Sequence, residues 1–116
     1  MSSIILLTKG KKMLFNVYHC KTRCLRFYPI RESRNISDYD LVGVVRADSL
    51  ENAFMNLQFE YEEFKNFIPV DELEKYRSLS VGDILSRGAQ FYAVDSVGFS
   101  ELNFVNGVFV LIQKKK

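Results

Sequence analysis

Apolar and polar positions change their period several times along this chain, and each change marks an element. Residues 13–19 (Met-Leu-Phe-Asn-Val-Tyr-His) alternate in the way of a strand, with Phe15, Val17 and His19 on one face and Leu14 and Tyr18 on the other. Residues 24–28 (Cys-Leu-Arg-Phe-Tyr) read as a second strand, stopped by Pro29. Residues 31–40 are polar, contain Asn35, Ser37 and Asp38, and predict a loop. Residues 41–46 (Leu-Val-Gly-Val-Val-Arg) are β-branched and apolar, which suits a central strand. The period then becomes helical. Leu50, Ala53, Phe54 and Leu57 form one apolar stripe, while Glu51, Asn52, Asn56 and Gln58 are expected to face outward. Asp48 and Glu51 have the spacing of a capping box, and the helix is expected to end near Phe59.

Residues 60–76 are acidic and aromatic, with Phe67 and Ile68 before Pro69, and read as a short helix plus a loop, with Asp71 to Tyr76 suited to one more helical turn. The last third is β in character. Val81 to Leu85 run toward a turn at Gly88, Gln90 to Val94 alternate, and Phe99 to Val105 continue the pattern. Asn106-Gly107 between two apolar runs is a strong hairpin signal, and Val108 to Ile112 make the last strand. The expected fold is α+β: an antiparallel sheet of about five to six strands, one main helix packed on one face, and a C-terminal β-meander. One domain is expected over residues 1–116, with residues 1–12 a first strand or an arm and residues 114–116 a solvated tail.

Composition supports a packed core. Of 116 residues, 47% are apolar or aromatic, with ten Phe and six Tyr, and the net charge is only +2. A chain of this length buries roughly two thirds of its unfolded surface without staples. Ile4 to Leu7 are too few to span a bilayer, and Lys9, Lys11 and Lys12 follow that run rather than precede it as in a signal peptide. No membrane partner and a cytoplasmic location are therefore expected. Two cysteines, Cys20 and Cys24, are expected as reduced thiols. With His19 they supply at most three ligands, two of them on opposite strand faces, so no metal and no cofactor are expected.

The small net charge hides a block pattern. Residues 1–34 hold eight basic groups and one acid, whereas residues 35–76 hold three basic groups and ten acids. Such blocks either orient a charged partner or neutralise each other within the fold. Two surfaces follow. Residues 18–34 interleave Tyr18, Phe27 and Tyr28 with Lys21, Arg23, Arg26, Arg31 and Arg34, a pattern that stacks bases and meets phosphates of single-stranded nucleic acid. Glu60, Glu62, Glu63, Asp71, Glu72 and Glu74 form a candidate acidic protein-binding face.

The segment Arg77-Ser-Leu-Ser-Val-Gly-Asp-Ile-Leu, followed by Phe91-Tyr-Ala-Val-Asp-Ser-Val-Gly-Phe-Ser-Glu-Leu, is distinctive. It resembles the YodL-like proteins, small domains of bacteria, plasmids, phages and integrated mobile elements. Ser78 to Asp83, Ile84 and Leu85 match that family's "SLSVGD" block, and Tyr92, Val94, Asp95, Ser96, Gly98 and Phe99 match its "YYVDSFGF" block. Upstream, Tyr39-Asp40-Leu41-Val42 and Leu50-Glu51-Asn52 also match, so the resemblance covers residues 13–102. It implies an accessory role in a mobile element and brings no established activity with it.

Physically, the serines of this motif can tie local backbone, Gly82 suggests a positive φ, Asp83 can accept N–H bonds across the turn, and Gly98 suggests a bulge. Arg77, Ser78, Ser80, Asp83 and Asp95 alternatively form an interaction surface. No nucleophile elbow, phosphate loop or metal-binding pair is present, so catalysis is not expected. The function expected is that of a small binding protein, a protein-interaction adaptor or inhibitor of phage or mobile-element type. The alternative is a single-stranded nucleic-acid module using residues 18–34.

Overall fold

The computed structural model describes residues 13–58, 67–70 and 77–112. The expected arm over residues 1–12, the helix within 60–66, the segment 71–76 and the tail at 114–116 lie outside the described residues. In chain order the elements are β1 (Met13–Cys20), β2 (Arg34–Asn35), a 3-10 turn (Ile36–Asp38), β3 (Tyr39–Ala47), α1 (Leu50–Asn56), β4 (Phe67–Pro69), β5 (Ile84–Arg87), β6 (Gln90–Val94), β7 (Phe99–Val105) and β8 (Val108–Leu111). The strands form one sheet in the order β2-β8-β7-β6-β5-β1-β3-β4, and all neighbours are antiparallel.

The architecture is an antiparallel sheet with one described helix, in line with an α+β fold. Eight strands are described where five to six were expected. The surplus includes β2 and β4, of two and three residues, too short to leave a periodic pattern. The strand expected at residues 24–28 is instead a tight turn. Leu25 and Arg26 N–H donate to the Thr22 carbonyl and Tyr28 N–H donates to the Leu25 carbonyl, so the backbone is satisfied locally rather than by a neighbouring strand. Residues 67–69 of the segment expected as helix and loop pair with β3 as an edge strand. There Val70 N–H donates to the Val42 carbonyl, so Pro69 sits where its nitrogen faces out of the sheet and cannot donate to another chain.

Burial on both faces organises the sheet. Phe15, Val17, Val45, Leu85 and Val94 point to one side, where Ala53 of α1 and Leu57 at its C-terminal cap bury against them and Leu50 and Phe54 pack around the margin. Leu79 closes this core from the loop that precedes β5. Cys20, Tyr39, Ile84, Ala93, Leu102 and Phe109 point to the other side, where Ile30 covers them. The register of β1 with β3 slips between Val17, opposite Gly43, and Tyr18, opposite Leu41. Val42 is the extra residue of this bulge, which bends the sheet.

The bend is large. Five strand spacings separate β3 from β8, roughly 24 Å in a flat sheet. Yet the Tyr39 and Phe109 rings meet edge-to-face with centroids 5.5 Å apart. The sheet therefore rolls around the second core. Three residues, Ile36–Asp38, carry the chain from β2 on one side of the roll to β3 on the other. Ile36 N–H donates to the Gly107 carbonyl and the Asp38 carbonyl accepts from Lys21 N–H, both at 2.8 Å, which stitches this link to the sheet.

The helix cap is displaced by one residue from the expected Asp48. Ser49 is the cap: its hydroxyl accepts from Asn52 N–H at 3.0 Å, and Asn52 Oδ1 accepts in return from Asp48 N–H at 3.2 Å. Asp48 is the residue before the cap, and its N–H closes the exchange on the Asn52 side chain. Asn56, expected outside, is buried and donates to the Arg46 carbonyl at 3.4 Å. No described helix is long and apolar enough to cross a membrane. Ser49→Ala is expected to lower unfolding stability in urea by about 1 kcal/mol and Asp48→Ala by under about 0.5 kcal/mol. The reverse order would restore Asp48 as the cap.

Candidate functional site

The motif residues 77–83 are built around one carboxylate. Asp83 is 1% exposed. Its Oδ1 accepts from Cys20 N–H at 2.9 Å and from Arg77 Nη2 at 2.7 Å. Its Oδ2 accepts from Ser80 N–H at 2.8 Å and from Arg77 Nη1 at 2.6 Å. Arg77 uses its remaining reach on the carbonyls of Cys20 and Ser78, at 3.2 and 3.1 Å. Ser80 Oγ donates to the Ser78 carbonyl at 3.1 Å. This bidentate pair with a full shell of hydrogen bonds is the arrangement in which a buried ion pair is tolerated. It ties the 77–82 loop to the end of β1. Of the surface expected from Arg77, Ser78, Ser80, Asp83 and Asp95, the structure gathers the first four into a structural knot.

Asp95 belongs to a different contact. Its carboxylate accepts from both Nη atoms of Arg31, at 3.1 and 3.2 Å, and from Ser100 Oγ at 2.6 Å. The Arg31 hydrogen bonds, ahead of that from Ser100, hold the Asp95 carboxyl down at about 2. Asp95 N–H also donates to the Gly98 carbonyl at 3.0 Å, so the residue closes the β6–β7 turn on itself. Gly98 has φ +69 and nothing within 4 Å of a Cβ placed there, so it serves the turn rather than a bulge or a close approach.

A second buried cation sits between the knot and the roll. Arg34 donates to the Tyr39 hydroxyl at 3.0 Å and to the carbonyls of Tyr28 and Pro29 at 3.1 and 3.4 Å. Tyr39 in turn donates to the Gly82 carbonyl at 2.8 Å. Burial pushes the Tyr39 phenol up to about 12, against the pull of Arg34. Gly82 has φ +93, and a Cβ there would lie 2.5 Å from the Tyr28 carbonyl oxygen, so only glycine fits beneath the loop.

These contacts sort the residues expected to bind nucleic acid. Tyr18 packs its ring against Phe91 and Phe109 in the second core, and Arg34 is buried, so neither faces a ligand. Lys21 pairs with Asp40 at 3.3 Å and Arg31 with Asp95. Arg23, Arg26 and Tyr28 remain without a carboxylate partner among the described residues. The acidic face of Glu60, Glu62, Glu63, Asp71, Glu72 and Glu74 lies outside the described residues.

What the sequence did not single out is the conformation of Phe27. It has φ +71 and is 54% exposed, and its ring lies 5.3 Å from the Arg26 guanidinium and 5.4 Å from that of Arg77. Arg26 Nε is enclosed and has no acceptor among the described residues. Tyr28, next along, is 62% exposed. No signal in the sequence places a Phe in the left-handed region, since composition favours Gly or Asn there. An open groove of about 540 Å³ beside this loop is lined by residues of both signs, among them Arg31, Glu32 and Asp38.

Cys20 and Cys24 are free thiols, the first buried and the second exposed. Burial pushes the Cys20 thiol up. Comparison with family models, with curated proteins and with solved structures finds no match.

Two measurements check the site's energetics. Arg77→Met strands the Asp83 charge and is expected to cost about 3–5 kcal/mol in chemical unfolding. A loss under about 1 kcal/mol would show the pair to be dispensable. Burial, opposed by Asp83, lowers His19 to about 4 from 6.5. The unfolded chain thus takes up this proton first, so stability is full above about pH 6.5 and is lost as the pH falls toward 4. The loss amounts to roughly 3 kcal/mol at most. His19→Gln is expected to flatten the stability profile in that window.

Proposed function

We propose that this protein is a small non-catalytic protein-binding module, an adaptor or inhibitor, that makes contact through the exposed arginine–aromatic turn of residues 22–28. The observation that carries this reading is Phe27, a bulky residue held half-exposed at positive φ with two guanidinium groups against its ring. Left-handed backbone costs an ordinary residue about 1–2 kcal/mol, and folded proteins keep such strain chiefly where it presents a group for function. Phe, Tyr and Arg together are also the composition of interface anchors. A non-catalytic role is in keeping with the carboxylates: those of Asp83 and Asp95 are committed to different arginines and to local N–H and hydroxyl donors. The YodL-like resemblance, with its setting in phages and mobile elements, fits an accessory cytoplasmic protein of this kind.

The second reading is single-stranded nucleic-acid binding, favoured by Arg23, Arg26 and Tyr28 on one exposed turn. It is the weaker one, because Tyr18 and Arg34 serve the core and Lys21 and Arg31 are engaged by acids. A gel shift with an oligothymidylate that weakens steeply with salt would favour it.

Affinity purification of the tagged chain from its native host is expected to recover one stoichiometric protein. Phe27→Gly removes the ring and the strain together. It is expected to leave the melting temperature unchanged or slightly higher and to abolish recovery of the partner. Retention of that partner by a folded Phe27→Gly variant would overturn the proposal.

A further inference from the structure

We infer that the β6–β7 turn is the second half of the same docking surface, and that the whole surface takes an acidic peptide segment carrying an aromatic or apolar anchor. The inference rests on the protein-binding reading of the 22–28 turn.

Val97, at the tip of the β6–β7 turn, is 90% exposed, the most exposed of the large apolar side chains described. Its turn is held rather than loose. Asp95 N–H donates to the Gly98 carbonyl, Ser96 N–H donates to Asp95 Oδ1, and Ser100 Oγ donates to Asp95 Oδ2. The same carboxylate takes both Nη atoms of Arg31, three residues beyond Tyr28. On the other side of the loop, the Tyr28 carbonyl lies over Gly82, whose N–H donates to the Val94 carbonyl immediately before Asp95. The arginine–aromatic turn and the Val97 turn are thus clamped to each other at two points along one rim of the sheet. Pre-organised anchors of this kind cost little ordering on binding.

Charge selects the class of partner. Neither Arg23 nor Arg26 has a carboxylate partner among the described residues; Arg26 is half-buried against Phe27 with its Nε enclosed, so the exposed Arg23 is the cation that the rim presents to a carboxylate from outside. With Asp40 and Asp95 paired to Lys21 and Arg31, Glu32 and Asp38 are the acids left beside the rim to oppose a continuous phosphate chain, whereas a peptide can place a discrete carboxylate at Arg23 and an apolar group against Phe27, Tyr28 and Val97.

The test uses the full chain immobilised on a sensor and three defined probes: a random glutamate–tyrosine copolymer, polyglutamate and oligothymidylate. The copolymer is expected to bind at least roughly tenfold more tightly than either other probe, the difference one apolar anchor makes. Val97→Asp, in an exposed turn that tolerates Asp, is expected to leave the melting temperature unchanged and to weaken copolymer binding by at least about fivefold. If Val97→Asp binds like the wild type while Phe27→Gly does not, the two-part surface is overturned and the loop reading stands. If neither variant weakens binding, both fall. Equal or tighter binding of oligothymidylate, or no preference for the copolymer over polyglutamate, overturns the assignment of partner class.

Discussion

A single ionised carboxylate, shut away from water, joins three parts of this chain that sequence keeps apart. Asp83 takes N–H groups from the end of β1 and from the loop at Ser80, and both arms of the Arg77 guanidinium, so no lone pair of its oxygens is left to seek water. Its own backbone carbonyl accepts from Val94 N–H, which carries the connection into β6. Removing one partner from such a group exposes the full desolvation penalty of the other, so the knot holds together or fails together. That is why a motif rich in hydroxyl and acidic side chains stands at the junction of the sheet's two halves instead of on its surface.

The rolled sheet explains where exposed groups are left. One face is sealed by α1 and Leu79, and the other closes on itself around Phe109. Arg34 fastens the loop from β1 to β2 over that second core by binding carbonyls and a phenol, without a carboxylate. Its charge organises backbone, while Arg23 on the outside of the loop faces solvent. Phe27 is presented at the same rim because Arg77, fixed by Asp83, lies beneath its ring. Core and surface therefore share one electrostatic scaffold.

Much of this was legible in the amino-acid order. Period-two alternation located β1, the stripe Leu50, Ala53, Phe54 and Leu57 located α1, and Asn106-Gly107 located the β7–β8 turn, where both residues have positive φ. The turn glycine at position 82 and the backbone-binding role of Asp83 were legible as well. What escaped has physical causes. A sheet buried on both faces blurs alternation, and strands of two or three residues have no period. Residues 24–28 have β-forming composition, but the carbonyl of Thr22 captures their N–H groups first. Tyr18 and Arg34 looked ligand-facing because nothing in the local pattern shows that the rolled sheet brings Phe109 to Tyr18, or that the turn folds the Tyr28 and Pro29 carbonyls back onto Arg34. Likewise, Ser49 and Asp48 are both cap formers one residue apart, and only the backbone shows that the Asn52 N–H meets the Ser49 hydroxyl.

The seam between β1 and β5 has a kinetic consequence. β5 to β8 form a run of hairpins whose turns are short, so their closure is local and fast. The seam itself joins residues 70 positions apart, as at Asn16 and Ser86. A loop of that length must close before Asp83 can find Cys20, and such closures are slow relative to hairpin formation. Until then β5 offers an unpaired apolar edge, Ile84 and Leu85 included, to any other extended chain. The strand that β1 covers in the folded chain is thus one whose protection depends on a contact distant in sequence, and an uncovered apolar edge is a template for a second copy.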